Sequence, residues 1–478
     1  MAQIGVDLGN YTFDASAKTI TFSGVVITSI EQIKPIVNGT RQTVIFNPAD
    51  SGKFGSLTGN VLTLDFDTTT YSDSDKLYIC VNNEKKQDFG IDAFGRQRVS
   101  EAQPIFEGQL TYGLQPLIYE QITNGSGAAI AHDSTNRNAD LSFTSSTSGA
   151  DAIMQTFEHF RYQAGKSQLI YLSFNMKESV AGVTKFAGYS DGSNGIEFIT
   201  SGGTNSIRLL SDTAEGDTTV AQSSWNLNTY SDLDISKVQL MVIDFQALYV
   251  GVVRVGFEIG NSVIYVHEFT HANSDTEPYI QTANLPIRCG MTVDSGTATT
   301  SMNYICSSVS SEGGIPLPIG VPVAVFVDEK QAGNNDRDHL VSIRPRTLFN
   351  GFTNRVKIAY VEFTITVNGN NPVRWELCIG QDFNDALVWN NVNTEHSSIE
   401  YSVTETEAAG SPTLIIDTDT IGSAKDLRLS MTRNIDIRVP ITLDSAGLQR
   451  SNGTLSLVVT GVDGNSNCYG KMKWIEIY

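Results

Sequence analysis

Polar and apolar residues alternate every second position through much of the chain. Thr19-Ile20-Thr21-Phe22-Ser23 and Val61-Leu62-Thr63-Leu64-Asp65-Phe66 do so early on. Glu362-Phe363-Thr364-Ile365-Thr366-Val367 and Thr454-Leu455-Ser456-Leu457-Val458 do so late. A period of two puts one face of a strand in water and the other in a core. Between such runs stand Asn38-Gly39, Asn124-Gly125, Asn194-Gly195, Gly260-Asn261, Asn368-Gly369, Asn452-Gly453 and Asp463-Gly464. Asn-Gly and Asp-Gly accept the positive φ of tight hairpin turns. No long helical stripe stands out. The one ambiguous stretch, Ala152 to Tyr162, places Ile153, Phe157 and Phe160 at helical spacing, and Met154, Thr156, Phe160 and Tyr162 at strand spacing; the strand reading is preferred. The pattern predicts an all-β chain without a fixed-period repeat, which argues against solenoids and propellers.

Two hydrophilic stretches divide the pattern. Asn82 to Glu101 contains Glu84-Lys85-Lys86-Gln87-Asp88, and Ser307 to Pro322 contains Gly313-Gly314-Ile315-Pro316-Leu317-Pro318. The expected organisation is an N-terminal β-sandwich over 1–83, a connector over 84–105 and a jelly-roll or lectin-like sandwich over 106–310. A linker over 311–325 and a C-terminal β-sandwich over 326–478 complete it. Such sandwiches bury alternate residues between two sheets.

Composition narrows the class. The 478 residues carry 32 Lys+Arg against 52 Asp+Glu, a net charge of −20, and charged residues make up 18% of the chain. Nucleic-acid wrapping needs concentrated cations, so no nucleic-acid partner is expected. The acidic balance favours solubility. The most apolar long stretch, Val238 to Phe257, is broken by Asp244, Gln246 and Arg254, which argues against membrane insertion because a span needs about 20 nearly uninterrupted apolar residues. No secretory signal is read at Met1 to Asn10. Cys80, Cys289, Cys306, Cys378 and Cys468 contain no C-x-x-C pair and read as buried thiols. Cys289 with Cys306 is the one pair to check for a bridge.

Several motifs invite chemistry. His267-Glu268-Phe269-Thr270-His271 matches H-E-x-x-H, which binds zinc when a helix brings both imidazoles together, about 6 Å apart. The run-in Ser262-Val263-Ile264-Tyr265-Val266 reads as strand, which separates the two histidines by about 13 Å; no metal is expected. Gly165-Lys166-Ser167 lacks the first glycine of a phosphate loop, since position 160 is Phe160, and a strand follows rather than a helix. Asp417-Thr418-Asp419 begins like a calcium loop, but its twelfth position is Arg428. Asp65, Asp67, Asp73 and Asp75 read as solvated turn carboxylates. Glycoside hydrolysis needs two carboxylates about 5–10 Å apart, and Glu215-Gly216-Asp217 lacks a closing glutamate, because position 220 is Val220. The expectation is no catalytic residue, no cofactor and no enzyme. Trp375 and Trp474 sit in alternating runs and read as core. Trp225 and Trp389 sit in polar surroundings and are the candidate aromatics for a glycan or partner contact.

The segment Asp92-Ala93-Phe94-Gly95-Arg96-Gln97-Arg98-Val99-Ser100 resembles one found in many tailed-bacteriophage virion proteins. Ile45-Phe46-Asn47-Pro48-Ala49-Asp50 and Tyr71-Ser72-Asp73-Ser74-Asp75-Lys76-Leu77 are similar to the small N-terminal β domain of that family. Tyr162-Gln163-Ala164-Gly165-Lys166-Ser167-Gln168, Val242-Ile243-Asp244-Phe245-Gln246 and Ile264 to Asn273 are similar to its large central domain, and Pro372-Val373-Arg374-Trp375-Glu376-Leu377 also fits. The resemblance implies a structural particle component in the tail, neck, baseplate or capsid decoration, made in the host cytoplasm and localised to the virion. Its partners would be other phage virion proteins and further copies of itself. Phe94, Arg96 and Arg98 put interface-enriched residue types in a connector, marking it as the docking element. The alternative is a host-attachment adhesin that holds a surface glycan.

Overall fold

The computed structural model describes all residues except 1–2, 6–10, 24–26, 28–29, 83–101, 247, 260–261, 313–319, 423–428 and 436–438. Phe94, Arg96 and Arg98 therefore lie outside the described residues, as do most of the expected connector and the Gly260-Asn261 turn. Among the described residues every element is a strand apart from two short 3-10 turns, Ile30–Gln32 and Gln222–Ser224. The protein is all-β, as its alternation predicts.

Two compact units divide the chain, Met1–Asp88 and Phe89–Tyr478. In the first, Tyr11–Asp14, Thr19–Phe22, Val61–Leu64 and Gly55–Thr58 form a four-stranded sheet, and Thr43–Phe46, Ile36–Asn38 and Leu77–Tyr78 a three-stranded one. Their inward residues, among them Phe13, Ile20, Phe22, Ile36, Ile45, Phe46 and Leu62, make one core. Three of the four carboxylates that read as solvated turn residues, Asp67, Asp73 and Asp75, are taken up locally. Asp75 accepts from Asn38 Nδ2 and Arg41 Nε, Asp73 from the Ala15 amide, and Asp67 pairs with Lys18.

The second unit holds two sandwiches. The central one packs a seven-stranded sheet, ordered Tyr119–Asn124, Asp151–Thr156, Ile287–Val293, Val183–Ser190, Gly195–Ser201, Thr204–Leu210 and Thr218–Ala221, on an eight-stranded one. The latter runs Ala128–Asp133, Asn138–Thr147, Thr297–Glu312, Gln168–Asn175, Gln239–Phe245, Val253–Ile259 and Ser262–Phe269, with Ala102–Gln109 also pairing on Thr297–Glu312. Phe174, Phe198, Phe245, Phe257, Met291 and Tyr304 fill the space between them. Asp151–Thr156 is a strand, so the ambiguous stretch is strand through Thr156 and irregular beyond it apart from an isolated bridge at Phe160, and Gly165-Lys166-Ser167 leads into the strand Gln168–Asn175 rather than a helix.

The C-terminal sandwich packs the sheet Val321–Ala332, Ser466–Ile477, Lys357–Asn368, Leu429–Ile435 on a six-stranded sheet. That second sheet is ordered Asn390–Asn391, Ile399–Ser402, Asp338–Pro345, Leu455–Gly461, Val373–Ile379 and Leu414–Ile421. Trp375 and Trp474 are fully buried in its core. Strand formation reaches into both expected connectors: Ala102–Gln109 takes the end of one, and Glu312 and Val321 flank 313–319 in the other. The two sandwiches also touch directly. Lys357 pairs with Glu158, the Ser445 amide donates to Glu120 at 2.9 Å, and the Arg450 guanidinium lies 3.3 Å above the Phe157 ring.

Candidate functional site

Antiparallel pairing puts directly opposed residues on the same face of a sheet. In the seven-stranded sheet this lines up one row on the face turned away from the core: Glu120 opposite Gln155, then Arg288, Gly188, Glu197, Arg208 and Thr219. The next row on that face is apolar, with Ile122, Ile153, Gly290, Phe186 and Ile199; Ile153, Phe186 and Ile199 form a small cluster separate from the main core. A charged row thus runs beside a greasy one across several strands.

The charged row is internally bonded. Glu197 is 1% exposed; it receives Nε and Nη2 of Arg208 at 3.2 and 2.5 Å and the hydroxyl of Ser190. A buried carboxylate without that fork would be costly. Arg288 donates Nη1 to Gln155 Oε1 and to the Asp191 carbonyl, each at 3.1 Å, while its guanidinium lies 5.4 Å from the Phe186 ring. The buried Nε of Arg288 has no partner, and burial lowers its pKa. Gly188 must be glycine here: an added Cβ would stand 2.1 Å from the Ile196 carbonyl oxygen and 2.7 Å from Glu197 Cα. The row's other carboxylate, Glu120, stands four strand spacings from Glu197, about 19 Å. That exceeds what a two-carboxylate glycosidic mechanism spans. What the face presents to solvent is the half-buried Glu120, Ile122, Arg288 and Arg208, beside Gln155, Glu197, Ile153 and Phe186, which are themselves buried.

The residues singled out in the sequence fall elsewhere. Trp225 does not face solvent: it is 4% exposed, its ring stacks 6.3 Å from Phe257, and Nε1 donates to the Val220 carbonyl. Its polar neighbours point outward while the indole turns in, so its assignment to glycan contact is withdrawn. Trp389 is half-buried, with the Arg344 guanidinium 3.9 Å over its ring, and Arg344 Nε reaches Glu400 at 2.5 Å. One face of that indole is therefore occupied.

His267 lies in the strand Ser262–Phe269 and His271 just beyond it. The Phe269 ring stands 4.5 Å from the His267 imidazole and 6.3 Å from that of His271. His267 Nδ1 accepts the Asn226 amide at 3.3 Å, and His271 Nδ1 donates to Asp275 at 2.7 Å. Among the described residues no group of three or more His, Cys, Asp or Glu could hold a metal ion. Glu215 receives the Thr276 and Glu277 amides, and Asp217 the Ser211 amide, so both brace loops. Asp417 and Asp419 lie on the strand Leu414–Ile421, where Asp419 pairs with Arg433. All five cysteines are free, and Cys289 and Cys306 form no bridge.

Sequence reasoning missed one chemically suggestive contact. His339 Nε2 lies 2.9 Å from Ser342 Oγ, with Nδ1 donating to the Thr404 carbonyl at 2.7 Å. At 1% and 0% exposure this pair is sealed in the C-terminal core, where no substrate reaches it.

No family model and no curated protein matches the chain. Solved structures do. An endo-1,3-beta-glucanase from Streptomyces sioyaensis is similar over 44% of this chain and 97% of its own, at 10% identity and TM-score 0.33. A carbohydrate esterase from Shiga toxin-encoding bacteriophage phi24B is similar over 45% and 100%, at 10% identity and TM-score 0.30. Lectin I-B4 from Griffonia simplicifolia is similar over 44% and 99%, at 11% identity and TM-score 0.28. The expectation that the chain is not an enzyme is corrected by these matches: a glucanase and an esterase stand among them beside a lectin, and the missing sequence motif gives no ground for excluding catalysis.

Proposed function

We propose that the chain is a surface component of a tailed-phage particle, assembled with other virion proteins and further copies of itself, and that its central sandwich contacts carbohydrate on the host. The particle role is supported by the family resemblance of Asp92–Ser100 and the segments around it. The carbohydrate role is carried by one observation, the half-buried Arg288 and Arg208 guanidiniums held in register by the buried Gln155 and Glu197, on the same face as the half-buried Ile122. Fixed hydrogen-bonding groups next to an apolar strip suit a ring with one polar edge and one apolar face.

Full-length protein applied to arrayed bacterial surface polysaccharides should bind saturably and be competed by free sugar. Arg288→Ala should weaken that binding by about tenfold, the loss of roughly 1.4 kcal/mol, in a variant shown to be folded at the assay temperature, because the same guanidinium also bonds Gln155 and the Asp191 carbonyl. Absence of competable binding by the folded protein would sink the carbohydrate reading. The particle reading is checked separately by labelling the protein on virions, where alanine at Phe94, Arg96 and Arg98 together should lower its copy number. Unchanged incorporation would remove the docking role from that segment.

A further inference from the structure

Two lysines in different sandwiches are held in the same unusual way. Lys185, fully buried on the inner face of the seven-stranded sheet, donates Nζ to the carbonyls of Met176, Glu178 and Ser301 at 2.8, 2.7 and 2.8 Å. Ser301 belongs to the eight-stranded sheet opposite. Lys330, in the four-stranded sheet of the C-terminal sandwich, reaches the carbonyls of His339, Leu340, Val403 and Thr404 at 3.1, 3.3, 2.6 and 3.3 Å. His339 and Leu340 belong to the six-stranded sheet opposite. Each ammonium therefore crosses its sandwich and ends in a cage of backbone oxygens. Bulges prepare the second cage. The register shifts between Val327 and Lys330, and again between His339 and Val341, which releases backbone groups from the ladder.

Such a cage is what a weakly hydrated monovalent cation needs, because carbonyl dipoles replace its water shell without a formal counter-charge. The other charges acting on Lys185 are Glu178 and Lys177, and on Lys330 Glu405 and Asp338. Burial lowers both ammonium groups to about 8, so they remain charged at neutral pH.

We propose that the two carbonyl cages are structural cation sites which the chain fills with its own lysines, and that each site, once its lysine is removed, takes a free monovalent cation of ammonium or potassium type. The sandwiches are then clamped without any dissolved ion, and the clamp cannot dissociate. Lys185→Ala and Lys330→Ala in the full chain should each lower the urea midpoint by about half a molar or more. Ammonium chloride, and better a short alkylammonium that also refills the lysine stem, should restore the midpoint saturably, as any ligand specific to the folded state does. Equal concentrations of sodium or tetramethylammonium chloride should not.

Equal effects of all four salts would overturn the proposal, as would Lys185→Met and Lys330→Met chains as stable as the parent. If an alanine variant does not fold, lysine-selective nitrogen-15 spectra of the unmodified protein decide. Two slowly exchanging ammonium signals support the cages, and lysine signals that all exchange at the solvent rate refute them.

Discussion

Glu476→Ala is expected to destabilise the second unit by about 4 kcal/mol. The side chain is fully buried, and its carboxyl group accepts five hydrogen bonds. Ser397 Oγ and Trp474 Nε1 donate to one oxygen at 2.6 and 3.0 Å. The Ser398 amide, Ser398 Oγ and Tyr478 hydroxyl donate to the other at 2.7, 2.8 and 3.0 Å. Glu476 belongs to the four-stranded sheet, while Ser397 and Ser398 lead into Ile399–Ser402 of the six-stranded sheet. The group therefore ties the two layers together at one end of the sandwich. Alanine leaves four donors facing a cavity, since the exposed Tyr478 can give its hydroxyl proton to the His396 carbonyl instead, and each unsatisfied buried donor costs about 1–3 kcal/mol, partly recovered where water enters. Glu476→Gln keeps the shape but turns an amide N–H₂ toward at least one donor, so about half that loss is expected. Urea unfolding followed by the fluorescence of Trp474, which the same carboxyl group holds, measures both. A Glu476→Ala chain within about 1 kcal/mol of the parent would mean that the knot does not hold the sheets.

The sequence made the strands legible and left the long-range pairing hidden. Glu362–Val367 and Leu455–Val458 announce themselves because alternation is local, needing only neighbours within the strand. Ser262–Phe269, with His267 in it, is legible as strand for the same reason. Trp225 misled because polar neighbours in a loop say nothing about which way a single large ring turns, and here the ring is drawn onto Phe257. The charged row was beyond reach: Glu120, Gln155, Arg288, Glu197 and Arg208 meet only once the register of several strands is set, and a slip of one residue would send each to the opposite face. The lysine cages and the Glu476 knot share that origin. Their partners come from distant strands, and the bulge ahead of Lys330 carries no residue signature of its own. Local pattern gives layers, and register gives sites.

Register also places two imidazoles where they cannot be charged, and acid should therefore unfold this unit well above the pH at which surface carboxylates are neutralised. His159 is held by burial at about 3 and His339 at about 4, against an ordinary 6.5. The geometry explains both. His159 Nδ1 can only donate to the Phe157 carbonyl, at 3.4 Å, and its buried Nε2 has no partner, so a second proton would find no acceptor. Arg355 across the junction between the sandwiches adds to the penalty. His339 Nδ1 donates to Thr404, which leaves Nε2 to accept from Ser342; protonation would break that bond beside the Lys330 ammonium. With both folded values below the unfolded one, the unfolded chain binds protons that the folded chain refuses. The stability they contribute is complete above 6.5 and is lost as pH falls toward 4 and 3. Each imidazole then removes about 1.4 kcal/mol per pH unit, so lowering the pH from 6.5 to 4.5 should cost about 5 kcal/mol from the pair. Urea midpoints measured across that range should fall steeply, and His159→Gln and His339→Gln should each remove about half of the slope. An unchanged slope in the double variant would assign the acid sensitivity to carboxylates instead.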